Sequence, residues 1–434
     1  MNLRNRFNVF SILPLLTLSV MLISFSKVQA VPAPPSLPNV PGQSSLSTGQ
    51  NLHQGYIDFF EKVYKTMDEN YYQPVSREIF NRFIEQFNNK IYNQLKVQGK
   101  TDNYVKWRSA SILVEKLKSP DDTFSGLYPP KPAVEFKQSS LGTRVDLGIE
   151  GKPSAQGYEV TRVEPHSDAY TEGLRELDII FQINKKKVNK LSDDQIKDLL
   201  NPLVNTKVNL KFLDASDHQE KAIDVVSKEY FKQTVFMVPT KVAGIYGLRI
   251  EHFNQKTGED LFRFMEFMKK RGPIKGLIID LRNNPGGPPL AAREIASIFL
   301  PGGEQFAYFQ RRGEPQSWLD VPKLPEQYHY DGPMAILINS GSGSSSELFA
   351  GILQKRGRAV LMGSHSAGKV FLKSMFDFDD QSMIVLVTGR GHYPDGSVFS
   401  FQGLTPDHAL TEEKDGDSIN YATLYLVYVN RKSQ

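Results

Sequence analysis

Along residues 51–128 apolar positions recur with a helical period. Tyr56, Phe59, Phe60, Val63, Tyr64 and Met67 make one stripe. Phe80, Phe83, Ile84, Phe87, Ile91 and Leu95 make a second. Tyr72-Gln73-Pro74-Val75 divides them, since proline interrupts a helix. A third helix is predicted over Tyr104–Leu117. From about 130 the period shortens. Tyr158–Val163, Ile179–Ile183, Val208–Phe212 and Ala222–Val226 read as short strands, with one helical run over Ser192–Leu200. After 230 buried-type strands and helices alternate: strand Leu277–Leu281, helix Leu290–Phe299, strand Met334–Ile338, helix Ser345–Lys355, strand Ala359–Met362. That rhythm predicts a largely parallel α/β core.

These shifts divide the chain into a helical region at 53–128, a β-rich module at 129–229 and an α/β core at 230–434. Two segments precede them. Arg4 and Arg6, the apolar stretch Val9–Phe25 and Val28-Gln29-Ala30 read as an export signal over 1–30, cleaved after Ala30. The competing reading is an uncleaved membrane anchor, although Asn8, Pro14 and several serines dilute the run. Residues 31–52 are rich in Pro, Ser and Gly and read as a linker. The expected location is outside the cytoplasm, periplasmic or extracellular, with membrane anchoring if the signal stays.

Composition narrows the chemistry. The 434 residues carry a formal net charge of +4, so nothing points to nucleic acid. Lys185-Lys186-Lys187 reads as a solvated turn. With 0 cysteines the chain has no disulfide, thiolate metal site or cysteine nucleophile. The 8 histidines are scattered and no metal-binding spacing appears.

Two Gly-rich segments carry the candidate chemistry. Asn339-Ser340-Gly341-Ser342-Gly343-Ser344-Ser345-Ser346-Glu347 joins a predicted strand to a predicted helix. A hydroxyl there meets free backbone N–H groups and the helix dipole, which stabilise a developing oxyanion. The same residues also read as a capping box, Ser344-x-x-Glu347, in which serine only satisfies the helix end. The second segment, Gly363-Ser364-His365-Ser366-Ala367-Gly368-Lys369-Val370, fits most of a phosphate loop. It lacks the Ser or Thr after the lysine, and Val370-Phe371-Leu372 reads as a strand where a helix is required. Lys369 is then either a surface lysine or a base. A base must be neutral, so burial beside residues 370–372 would have to disfavour its charged form.

Together these segments resemble the C-terminal processing, or tail-specific, peptidases, a family of serine–lysine proteases of the S41 type. In that pattern the serine stands two residues before a Ser-Glu pair, here Ser346-Glu347, and the lysine 25 positions after it, which gives Ser344 and Lys369. Asp280-Leu281-Arg282-Asn283-Asn284-Pro285-Gly286-Gly287 matches an upstream family stretch. Pro394-Asp395-Gly396 and Gly403-Leu404-Thr405-Pro406-Asp407 resemble its closing strands. The middle module resembles a PDZ domain: Leu147-Gly148-Ile149 looks like its carboxylate-binding loop, Gly173–Ile180 like its signature region, and Asp122-Thr123-Phe124-Ser125 like the motif leading into it.

The resemblance implies a multidomain α/β fold: an N-terminal helical segment, a PDZ-like β-rich module and a ClpP/crotonase-like peptidase core. It implies that Lys369 takes the proton of Ser344, that the serine attacks a peptide carbonyl, and that backbone amides of Gly287 and Ser345 form the oxyanion hole. Partners are protein or peptide substrates with exposed, largely apolar C-termini, held at Leu147, Gly148 and Ile149. A homo-oligomer and an adaptor protein are both compatible with it. No metal or organic cofactor is implied.

The chain departs from the family at three positions. Lys373 replaces a glutamine that orients the amine, Lys355 an aspartate, and Val370 a glycine. Lys373 and Glu347 are then supporting residues, with the charge of Lys373 expected to depress Lys369 further. The departures keep a second reading open, a catalytically impaired PDZ scaffold of the same fold. A weaker third is a small-ligand carrier like the retinoid-binding relatives of this core.

Overall fold

In the computed structural model, residues 48–164, 167–410 and 415–432 are described. The predicted export signal and nearly all of the linker lie outside them. The described residues from 53 onward belong to one compact unit.

Local capping sets the helical region. Helix α1 spans Thr48–Asn70. Helix α2 (Arg77–Gln86) starts where the Ser76 hydroxyl accepts the Ile79 amide, and it runs through a π-helical turn into α3 (Tyr92–Val97). Helix α4 (Asp102–Leu117) starts where Thr101 accepts the Tyr104 amide. The two aromatic stripes meet in one core, and Ile384, Leu386 and Val387 from the far end of the chain complete it. Strand β1 (Gly126–Tyr128) and helix α5 (Pro130–Leu141) lead out of this region.

The β-rich module hangs on a two-stranded stem, β2 (Thr143–Asp146) paired with β9 (Lys228–Phe231). Between them lie β3 (Ile149–Ser154), β4 (Gly157–Val163), α6 (Asp168–Thr171), β5 (Ile179–Ile183), β6 (Lys186–Lys187), α7 (Asp193–Leu200), β7 (Lys207–Leu213) and β8 (Glu220–Val226). The antiparallel order is β3-β4-β5-β7-β8. Asn184 and Lys185 hold the left-handed turn between β5 and β6, so the lysine run is solvated as expected.

The core begins with β10 (Val235–Val238), β11 (Ile245–Ile250), α8 (Thr257–Lys269), β12 (Gly276–Asp280) and α9 (Pro289–Ala296). It continues through β13 (Gln305–Arg311), β14 (Ser317–Asp320), β15 (Met334–Ile338), α10 (Ser345–Lys355) and β16 (Val360–Gly363). It ends with β17 (Phe371–Asp377), β18 (Met383–His392), β19 (His408–Ala409) and α11 (Asp415–Lys432). One sheet has the order β10-β11-β12-β15-β16-β19 and is parallel from β11 onward. Helices α8, α9 and α10 cover one face of it, and α11 covers the other through Ile419, Ala422 and Leu426. A second, antiparallel sheet, β1-β18-β13-β14 with β17 on β18, carries the N-terminal helices.

This is the multidomain α/β fold the sequence implies. One detail is corrected. Residues 394–396 are not a strand. Gly396 takes a left-handed conformation and returns its amide to the Tyr393 carbonyl at 2.9 Å, closing a tight turn. Residues 403–407 are a loop that leads into the two residues of β19.

Candidate active site

Ligands of parallel α/β sheets gather beyond the carboxyl ends of the strands. Strands β12 and β15 are neighbours there, and every residue of both is buried. The loops that follow them are sewn together. Asn339 Oδ1 accepts the Asn283 amide at 2.8 Å, and its Nδ2 donates to Asn283 Oδ1 at 3.0 Å. The Gly343 amide and the Ser346 hydroxyl both donate to the Asn284 carbonyl at 2.9 Å. Ser345 Oγ donates to the Gly287 carbonyl at 2.6 Å. The run Asn283-Asn284-Pro285-Gly286-Gly287 is therefore the cradle of the serine loop.

Ser344 is the N-cap of α10, at φ 53° and ψ −114°. A non-glycine residue in this region is strained, and such strain concentrates at functional turns. Its hydroxyl faces the Glu347 amide in the manner of a capping box but falls short of a hydrogen bond. The reciprocal half is made: the Ser344 amide donates to Glu347 Oε2 at 2.9 Å. Gly286 lies directly against the serine. A Cβ there would stand 2.7 Å from Ser344 Cβ and 2.9 Å from the Ser345 nitrogen. Among the described residues the amides of Ser345 and Gly287 carry no hydrogen bond, as an oxyanion hole requires.

Glu347 is the hub. It is 1% exposed and accepts four hydrogen bonds. Oε2 takes the amides of Ser344 and Lys369, the latter at 2.7 Å. Oε1 takes the Ser366 hydroxyl and the Gly368 amide, each at 2.6 Å. One buried carboxylate thus ties the main chain of the candidate nucleophile to that of the candidate base. Sequence spacing marked Glu347 only as a helix cap and a supporting residue. The wider role arises from contacts about 20 residues apart, which a local pattern does not carry.

The reacting atoms are not joined in this structure. Lys369 Nζ makes no hydrogen bond to Ser344 Oγ. It stands 5.5 Å from the ring centre of Phe124, as does Lys373 Nζ. The expected burial of Lys369 is also not met. Val370 is buried, but Lys369 is exposed. The chain enters β17 just after it and directs the side chain toward Phe124. Lys373 is exposed too, yet crowding by protein pushes its ammonium below the ordinary lysine value, and the charge of Lys369 adds to this. Phe124 is held by Asp122, whose Oδ1 accepts the amides of Phe124 and Ser125 at 2.8 and 2.9 Å. The other oxygen of Asp122 accepts the Tyr71 hydroxyl at 2.8 Å.

The third altered position has its own partners. Lys355 Nζ pairs with Asp395 at 2.7 Å, donates to Ser397 Oγ at 2.6 Å and lies 4.2 Å from the Tyr393 ring. It serves the outer end of α10. Upstream, burial raises the pKa of Asp280, but bonds from Arg282 and Arg249 outweigh it and hold the carboxyl below its usual value.

In the β-rich module Leu147, Gly148 and Ile149 do form the turn into β3, the edge strand. Two of the three amides expected to receive a carboxylate are engaged. Leu147 donates to the Leu200 carbonyl at 3.1 Å, and Gly148 donates to Asp146 Oδ1 at 2.6 Å. Ile149 is paired with Val163 on the sheet side.

Residues 245–410 match the family model of peptidase family S41, and residues 132–213 match that of the PDZ domain. These two stretches of the chain are thus similar to an S41 peptidase core and to a PDZ domain, the second preceding the first. Curated relatives include a "Probable CtpA-like serine protease" of Staphylococcus epidermidis, 26% identical over 354 residues, covering 82% of this chain and 65% of the relative. One of the same name from Staphylococcus aureus is 28% identical over 338 residues, covering 75% of this chain and 65% of the relative. The matches therefore span just under two thirds of those proteins. Among solved structures, the tricorn protease shares the fold at 15% identity and TM-score 0.52, over 87% of this chain and 37% of its own.

Proposed function

We propose that the chain is an exported serine endopeptidase that acts on proteins with exposed C-termini, with Ser344 as nucleophile and Lys369 as general base. The observation that carries this reading is Glu347, which holds the main chains of both residues on one carboxylate beside the open amides of Ser345 and Gly287. Neutral Lys369 takes the Ser344 proton as Oγ bonds to the peptide carbonyl carbon. The carbonyl oxygen becomes an oxyanion held by the two amides. Lys369 returns the proton to the departing amine, and water then hydrolyses the acyl-enzyme. Before this can occur Lys369 Nζ must leave Phe124 for the serine, a side-chain movement within the reach of a lysine. The PDZ domain would add the substrate terminus as a strand on the free edge of β3. The carboxylate then takes the Gly148 amide from Asp146.

A second reading, a scaffold that binds termini without cutting, is favoured by one observation, the placing of Lys369 against Phe124. The two are separated by incubating the protein and its Ser344→Ala variant with an unfolded protein ending in apolar residues. Cleavage by the parent alone is expected. Binding by both with cleavage by neither would establish the scaffold.

A further inference from the structure

The ring of Phe124 is the start of a row. Its centre lies 5.7 Å from that of Phe371, which lies 5.5 Å from that of Phe401. Lys369 and Lys373 stand at the first ring. Arg390, opposite Phe371 across the β17–β18 ladder, stands at the other end, with Cζ 4.8 Å from the Phe401 ring and 5.3 Å from that of Tyr72. Three cations therefore share one aromatic row. Among the described residues none of them has a carboxylate partner, and the Nε of Arg390 is buried without any acceptor. Glu347, whose carboxylate takes the Lys369 amide, is fully used by its four donors. The row is open to solvent at Phe401, which is 52% exposed.

A buried guanidinium N–H without an acceptor is costly unless something supplies one. Cations over aromatic faces account for part of the balance, but a ring offers no lone pair to Nε. A planar carboxylate does, since it matches the guanidinium fork. The adjoining rings would hold an apolar or aromatic neighbour of that group.

We infer that the Phe124–Phe371–Phe401 row with Lys373 and Arg390 is a substrate subsite that selects a carboxylate beside the scissile bond. The inference rests on the peptidase reading and adds to it a substrate class: an acidic group flanked by apolar residues, within about four residues of the cut in an extended chain. Lys373, which replaces the family's glutamine, then reads as part of a cationic selector. The carboxylate can come from an acidic side chain or from the chain terminus itself.

The test uses the full chain as Ser344→Ala, so that binding is read without turnover. Fluorescence anisotropy compares C-terminally amidated peptides in which one Glu, or a Gln in its place, moves through an apolar sequence. A third peptide has no Glu but a free terminus. At the best position Glu is expected to bind about tenfold more tightly than Gln, the scale of one charge-assisted hydrogen bond. Added salt should narrow the gap. With Arg390→Glu in the same background the preference should pass to a Lys peptide. That gain guards against mere loss of folding. Preference for the free-terminus peptide alone assigns the subsite to the terminal carboxylate; preference for Glu assigns it to a side chain. Equal binding of Glu and Gln with no terminal preference overturns the inference, as does a Glu preference that survives Arg390→Glu. Failure of the parent protein to cleave any of the peptides, with the charge preference intact, overturns the peptidase reading and leaves the subsite standing.

Discussion

At the residue scale the proposed site turns on the carboxylate of Glu347. Glu347 receives donors from Ser344, Ser366, Gly368 and Lys369, so a neutral amide in its place must turn an NH2 toward one pair of them. Glu347→Gln should therefore cost about 2–4 kcal/mol of stability, because buried donors lose a charged acceptor. It should slow attack by Ser344 about a hundredfold, because small misplacements of reacting groups have effects of that size. Labelling of the serine by a fluorophosphonate, followed below the melting temperature of the variant, isolates the second effect. Labelling at the parent rate would reduce Glu347 to a helix cap. The sequence made the capping box visible because its two members are three residues apart. The bonds to residues 366–369 depend on the fold bringing β16 beside β15.

At the element scale the loops after β12 and β15 act as one piece, and Gly286 is where they touch. Its φ of 106° disfavours a side chain, and a Cβ would meet the Gly343 carbonyl and Ser344 Cβ at 2.7 Å. Gly286→Ala should depress kcat by about 10²–10³-fold, the effect of losing one oxyanion donor, since it pushes on the Ser345 amide. Its KM for long substrates should change little, because the contacts expected to hold the substrate terminus are made by other residues, 147–149. Steady-state kinetics on one protein substrate checks the split, and a mainly raised KM would count against the oxyanion assignment. Elements such as α10 and β15 were legible because continuous apolar runs meet glycine turns at both ends. The second sheet was not. Met383–Val387 of β18 is an apolar run that suits a helix as well as a strand, and its partners, β1 and β13, lie far away in the chain. In the sequence Phe124 stands out only as part of the motif Asp122-Thr123-Phe124-Ser125. Nothing local shows that Asp122 would turn it toward two lysines.

At the scale of the whole molecule, the PDZ domain is joined to the core through the β2–β9 stem, and one short segment grips both. Asn254, fully buried, donates from Nδ2 to the carbonyls of Gly142 and Lys232 at 3.1 and 2.8 Å. Its neighbour Phe253 donates its amide to the Gly286 carbonyl at 2.9 Å. His252 completes the grip, with Nε2 3.4 Å from the Ser140 carbonyl. Burial pushes the His252 pKa below its ordinary 6.5, the Ser140 contact opposes this, and the charge of Lys232 adds to it. The folded protein therefore favours the neutral ring, while the unfolded chain takes up the proton more readily. That stabilisation is present in full above pH 6.5 and is lost as the pH falls from there through the lower folded value. Replacing His252 with Gln removes the titrating group and keeps a polar side chain of similar reach. The melting temperature of the parent should then fall more steeply below neutrality than that of His252→Gln, with the curves separating in the acid range. Scanning calorimetry across the pH range reads this directly, and parallel curves would show that the ring is not held neutral. Because the same segment bonds the Gly286 loop, acid that loosens the stem should also slow serine labelling in the parent more than in the variant.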